Sequence, residues 1–182
     1  MKLLIVLGSL RANSFSRKLA DATSAHLHGD VIPTIIDGAD LPLYNQDLDG
    51  DDKPPSVENL LAQVKASDAL LFITPEYNYG IPGPLKNLID WASRPAYASP
   101  LKDKPVLIMA QSLAMAGGAR AQLQLSTVLG GTLARIFNCP SFLVSAVHEK
   151  FNEEGEMTDE FLTVLLGKVM EDFVRWAADA KD

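Results

Sequence analysis

ALLFITPEYNYGIPGPLKN, residues 69–87, changes character twice. From Ala69 to Thr74 it is apolar without alternation, as expected of a strand in a parallel sheet covered on both faces. Pro75 ends that run, Gly80 and Gly83 permit close backbone approach, and Pro82 and Pro84 stiffen the chain before a helix that Pro84 opens. A buried strand, a pre-shaped loop and a helix in this order make half of a βαβ unit.

The same unit repeats in both directions along the chain. Apolar runs of strand length also occupy Leu3 to Leu7, Val31 to Ile36, Val106 to Ala110 and Phe142 to Ala146. Helical patterns separate them: Ser16 to Leu27; Val57, Leu60, Leu61 and Val64; Leu85, Leu88, Ile89 and Trp91 on to about Arg94; and about Arg120 to Phe137. A last stripe of Phe161, Leu165, Val169, Phe173 and Trp176 follows Thr158 as its expected N-cap. Strict alternation predicts right-handed crossovers and an α/β fold of three layers, α/β/α. Five strands favour a flavodoxin-like parallel sheet of order 2-1-3-4-5, with ligand at the carboxyl ends of the strands. Residues 1–182 read as a single domain, with Asp37 to Pro55 as an insertion loop.

Composition removes several function classes. The formal charge of −7 over 182 residues opposes a phosphate backbone, so nucleic acid is not expected as the partner. The apolar runs are shorter than the roughly 20 residues of a membrane helix, and no signal segment is expected. The lone Cys139 has no internal disulfide partner, which points to a cytoplasmic setting. Asp47, Asp49, Asp51 and Glu58 approach a calcium-loop spacing, but Asp52 stands where glycine is needed and Pro54 and Pro55 interrupt, so a solvated acidic loop is expected. His26, His28 and His148 lack metal-ligand spacing, and no metal site is assigned.

Three loops face the expected ligand edge. GSLRANSFSRKLA, residues 8–20, offers a phosphate the amides of a helix N-terminus, the hydroxyls of Ser9, Ser14 and Ser16, and the fork of Arg11. The alternative is that Asn13 or Ser14 simply caps the helix. Neither GxGxxG nor GxxxxGK[ST] occurs there. In the second loop, Tyr77 and Tyr79 supply flat faces with polar tips, and Asn78 with nearby amides suits the edge of a heteroaromatic ring. The third, QSLAMAGGARAQ at 111–122, brings Ser112 and the Gly117–Gly118 pair.

With these three stretches in order and at these spacings, the sequence resembles the NADPH-dependent FMN reductase family over nearly its whole length. Within it, the chain is similar to the bacterial chromate and quinone reductase branch. The resemblance implies non-covalent FMN, NADPH or NADH as hydride donor, a small-molecule oxidant, and a homodimer or homotetramer. It carries the phosphate loop onto Ser9, Arg11, Asn13, Ser14, Phe15 and Ser16. The ring loop falls on Pro75, Glu76, Tyr77, Asn78 and Tyr79, and the third contact on Ser112, Gly117 and Gly118. The oxidants implied are quinones, azo or nitro compounds, free flavin and metal oxyanions, reduced in a ping-pong cycle. No side chain is assigned as catalytic acid or base, because the flavin carries the chemistry. A flavodoxin-type electron carrier, without its own NAD(P)H oxidase activity, is the alternative.

Overall fold

The structure, a computed structural model, describes residues 1–138 and 142–180. Among the described residues, six strands and five α-helices follow in the order β1 Lys2–Leu7, α1 Phe15–Ala25, β2 Ile32–Ile36, α2 Pro55–Ala66, β3 Ala69–Pro75, α3 Gly83–Ala92, β4 Pro105–Gln111, α4 Ala119–Gly131, β5 Arg135–Ile136, β6 Phe142–Val144 and α5 Glu160–Asp179. All strand pairs are parallel, in the order β2-β1-β3-β4-β5, with β6 also beside β4. This is the expected flavodoxin-like order.

Continuous apolar runs serve two cores because successive side chains on a strand point to opposite faces. Leu3, Ile5, Leu7, Leu71 and Ile73 meet α1 and α5 through Leu19, Leu166 and Phe173. Leu4, Val6, Leu70 and Phe72 meet α2, α3 and α4 through Leu60, Leu88, Trp91 and Leu125. Strands β3 and β4 are buried at every position. The edge strand β2, which contains Pro33, is only partly buried, in keeping with the tolerance of edges for proline.

Three local expectations are corrected. The fourth helix stops at Gly131 instead of reaching Phe137; the chain turns through Leu133 at φ 66° and Arg135–Ile136 joins the sheet instead. The fifth strand position is therefore split. Arg135 and Ile136 lie beside Pro105 and Val106, while Phe142 to Val144 lie beside Met109 to Gln111, and the second piece ends before Ser145. The last helix is capped by Asp159, not Thr158: its carboxylate accepts from the Leu162 amide at 2.8 Å. Its buried face runs Leu162, Leu166, Val169, Met170, Phe173 and Ala177, leaving Phe161 77% exposed.

The Asp37–Pro55 loop carries one short 3₁₀ turn at Gln46–Leu48 and is fastened to α3. Asn87 accepts from the Tyr44 amide at 2.7 Å and donates to the Pro42 carbonyl at 2.9 Å; the Trp91 indole donates to the same carbonyl at 2.8 Å. Asp49 is not solvated as expected of an acidic loop. Its buried carboxylate pairs with Arg94 at 2.7 Å and Lys53 at 3.2 Å. Burial pushes that carboxyl up, but the hydrogen bonds and charges of Arg94 and Lys53 outweigh it and hold the group below the ordinary carboxylate range. Cys139 lies outside the described residues. Among the described residues, no helix is long and apolar enough to cross a membrane.

Candidate functional site

The carboxyl ends of β1, β3 and β4 open onto one cleft of about 290 Å³, walled by the three loops singled out in the sequence. Ser9, Arg11, Ser14 and Phe15 come from the first loop, Pro75, Glu76 and Tyr77 from the second, and Ser112 from the third. The remaining named residues stand back from the hollow. Ser16 is fully buried, its hydroxyl accepting from the Gln111 side chain at 3.3 Å. Asn13 is exposed before α1, and Asn78 and Tyr79 form the tip of the second loop. Gly117 and Gly118 lie at the base of the third loop, where Gly118 is the N-cap of α4.

The first loop presents donors. Ser14 caps α1, accepting from the Arg17 amide at 3.1 Å, so the capping alternative holds for this residue; its hydroxyl proton remains free to donate outward. The amides of Phe15 and Ser16, in the first turn of α1, have no hydrogen-bond acceptor among the described residues. Arg11 is exposed and forms no ion pair among them. Helix N-terminal amides, serine hydroxyls and an unpaired guanidinium together make the donor set that suits one phosphate group. That chemistry fits the single phosphate of FMN.

The second loop is a closed turn. The Tyr77 amide donates to the Gly80 carbonyl at 2.9 Å and Gly80 returns the bond at 3.0 Å. Asn78 and Tyr79 between them have φ of 49° and 65°, the pattern of a type I′ turn. Asparagine tolerates that region well; for tyrosine it is uncommon and strained. The turn leaves Tyr77 47% exposed at the cleft wall, a flat face within reach of a planar ligand.

The third loop is shaped by its own backbone. The Ser112 hydroxyl accepts from the Ala114 amide at 3.1 Å, and the Leu113 amide is without a partner among the described residues. Gly118 sits at φ 86°, where an added Cβ would stand 2.9 Å from the Ala110 Cβ, so no larger residue fits. Gln111, Leu113 and Ala114 also line the cleft and were not singled out as site residues. For Gln111 the signal was present: it is the one amide closing an otherwise apolar strand, and it reaches across to Ser16.

Sheet order defines a flavodoxin-like protein, with this cleft at the carboxyl edge of its strands. The model of the NADPH-dependent FMN reductase family matches residues 1–149, and the chain belongs to that family. A quinone reductase of Escherichia coli K12 is 38% identical over 166 residues, covering 88% of this chain and 86% of its own. An NAD(P)H-dependent FMN reductase of Pseudomonas aeruginosa is 35% identical, covering 97% and 95%. Among solved structures, FerB of Paracoccus denitrificans, a flavoenzyme NAD(P)H:(acceptor) oxidoreductase, superposes with a TM-score of 0.87 at 33% identity, covering 98% of both chains.

Proposed function

We propose that this protein is an FMN-dependent NAD(P)H oxidoreductase whose 182 residues form one FMN-binding domain, working in the cytoplasm as a homodimer or homotetramer. The observation that carries the reading is the convergence of free α1 amides, Arg11 and Tyr77 on one hollow at the carboxyl edge. When bound, FMN supplies hydride acceptance from NADPH or NADH and, after the nicotinamide leaves, hydride donation to an oxidant such as a quinone, an azo or nitro compound, free flavin or a metal oxyanion.

The chain's own part is binding, orientation and charge stabilisation. The Phe15 and Ser16 amides, the Ser9 and Ser14 hydroxyls and Arg11 hold the phosphate, with Asn13 at the rim. Pro75, Glu76, Tyr77, Asn78 and Tyr79 support the ring edge through the backbone of the turn. Ser112 and the free Leu113 amide, on the loop based at Gly117 and Gly118, place donors where negative charge develops on reduction. Leu10, Leu113 and Met115, respectively 46%, 63% and 82% exposed, give the loops around the cleft apolar side chains suited to a flat oxidant.

The test is an anaerobic mixture of FMN-loaded protein with NADPH. The yellow colour is expected to bleach and to return on adding benzoquinone. A flavin that stays oxidised with NADPH alone, yet is reduced once a separate reductase is added with NADPH and then reoxidised by benzoquinone, would favour the electron carrier instead.

A further inference from the structure

Glu76 belongs to the cleft wall, but its carboxylate is engaged elsewhere. Helix α4 begins after Gly118, which has no side chain to satisfy the first-turn amides. Glu76 supplies the missing cap from another loop: Oε2 accepts from the Arg120 amide at 3.1 Å and the Ala121 amide at 3.4 Å, while Oε1 pairs with the Arg120 guanidinium at 3.1 Å. The side chain of Glu76 is only 10% exposed, so this arrangement is shielded from competing water.

The same end of α4 holds the turn that follows. The Arg120 guanidinium lies 4.4 Å from the Tyr79 ring centroid, and Gln124, one turn along, accepts from the Ile81 amide at 2.7 Å. The turn between these anchors carries Tyr79 at φ 65°. A conformation of that kind persists only where its surroundings over-determine it. Besides its own Tyr77–Gly80 pair and the bond of the Glu76 amide to the Gln111 carbonyl at 3.3 Å, these contacts with α4 are what hold residues 77–80, and Tyr77 with them, beside the cleft.

We propose that Glu76 is a positioning residue: by capping α4 it fixes the tyrosine turn relative to the third loop and thereby sets the cleft opening offered to the flavin ring. The inference rests on the FMN reading above. Its test therefore has one arm without flavin, hydrogen exchange of the full-length FMN-free chain, and one with it, FMN titration. In Glu76→Ala, the Tyr77 and Gly80 amides are expected to exchange at least about tenfold faster, and FMN to bind about tenfold more weakly. Glu76→Gln keeps one acceptor and should return both quantities to within about threefold of the parent. If the alanine variant does not fold, the glutamine variant alone carries the test, with exchange at Tyr77 and Gly80 rising about two- to threefold.

Unchanged exchange at Tyr77 and Gly80 in the folded variants overturns the proposal. So does unchanged FMN affinity in a variant whose turn exchanges faster. A parent protein that takes up no FMN is a different outcome: it removes the functional reading and with it the consequence for the flavin, while the exchange arm still reports whether Glu76 holds the turn.

Discussion

Helix α1 has a hollow at each end, and the two differ in kind. At its amino end lies the cleft of about 290 Å³; at its carboxyl end, where His26 to Gly29 pass α5 near Gly167 and Met170, lies a larger one of about 540 Å³. Volume alone would select the second. Chemistry selects the first. The amino end carries unpartnered amides and the positive pole of the helix, while the carboxyl end carries carbonyls and the negative pole. Two of the polar groups of the larger hollow are engaged, the His26 ring with the Ala22 carbonyl at 2.8 Å and Arg175 with Asp172, and Glu171 adds a carboxylate to its lining. An anionic cofactor therefore meets helix-terminal amides at one end of α1, and helix-terminal carbonyls beside the Glu171 carboxylate at the other.

The contrast can be broken most severely at Gly118. Gly118→Val forces a branched side chain into left-handed backbone against Ala110 and Gln111, and should cost about 3 kcal/mol or more of stability. Thermal melting checks that figure, and FMN titration of the surviving folded protein should show at least about a hundredfold loss of affinity. A variant that melts and binds like the parent would mean that the third loop does not shape the cleft.

Next in size is a reversal of charge at the amino end. Arg11→Glu leaves the fold alone, since Arg11 is exposed and unpaired among the described residues, but places a carboxylate beside the proposed phosphate position. FMN affinity, followed by quenching of flavin fluorescence, is expected to fall about ten- to a hundredfold.

A third change separates stability from binding by acting away from both hollows. Asp49 has its folded carboxyl held below the unfolded value, so its stabilisation is complete above about pH 4 and is lost as pH falls through the lower folded value. Asp49→Asn should remove about 1–2 kcal/mol at neutral pH and flatten that part of the acid limb in urea melts at stepped pH. An unaltered acid limb would show that the Arg94 and Lys53 pairs contribute nothing.

The smallest effect is expected at the carboxyl end of α1. Arg175→Glu alters the larger hollow at a side chain that is 67% exposed, and FMN affinity should stay within about twofold. A loss comparable to that of Arg11→Glu would put the flavin at the wrong end of the helix.

How far this contrast could be read in the sequence depended on the range of the interactions involved. Runs such as Leu3 to Leu7 and Ala69 to Thr74 disclose buried parallel strands because both faces of each strand must be apolar, and the order of such runs discloses the sheet. Ser14 followed by an apolar helical pattern likewise marks the start of α1 and hence the phosphate-type donors. The broken fifth strand was hidden because Arg135–Ile136 is too short to show a period. The turn at Asn78–Tyr79 was hidden for another reason: Gly80 draws the eye as the flexible residue, while the left-handed positions belong to its neighbours. Glu76 capping α4 and Arg94 neutralising Asp49 each join residues more than forty positions apart, so no local pattern records them.

A crystal structure of the FMN-loaded protein tests the account most directly. The phosphate should lie at about 3 Å from the Phe15 and Ser16 amides, with the ring system beside Tyr77 and the Leu113 amide. A flavin found between His26 and Arg175, or one whose phosphate points away from the start of α1, would contradict it.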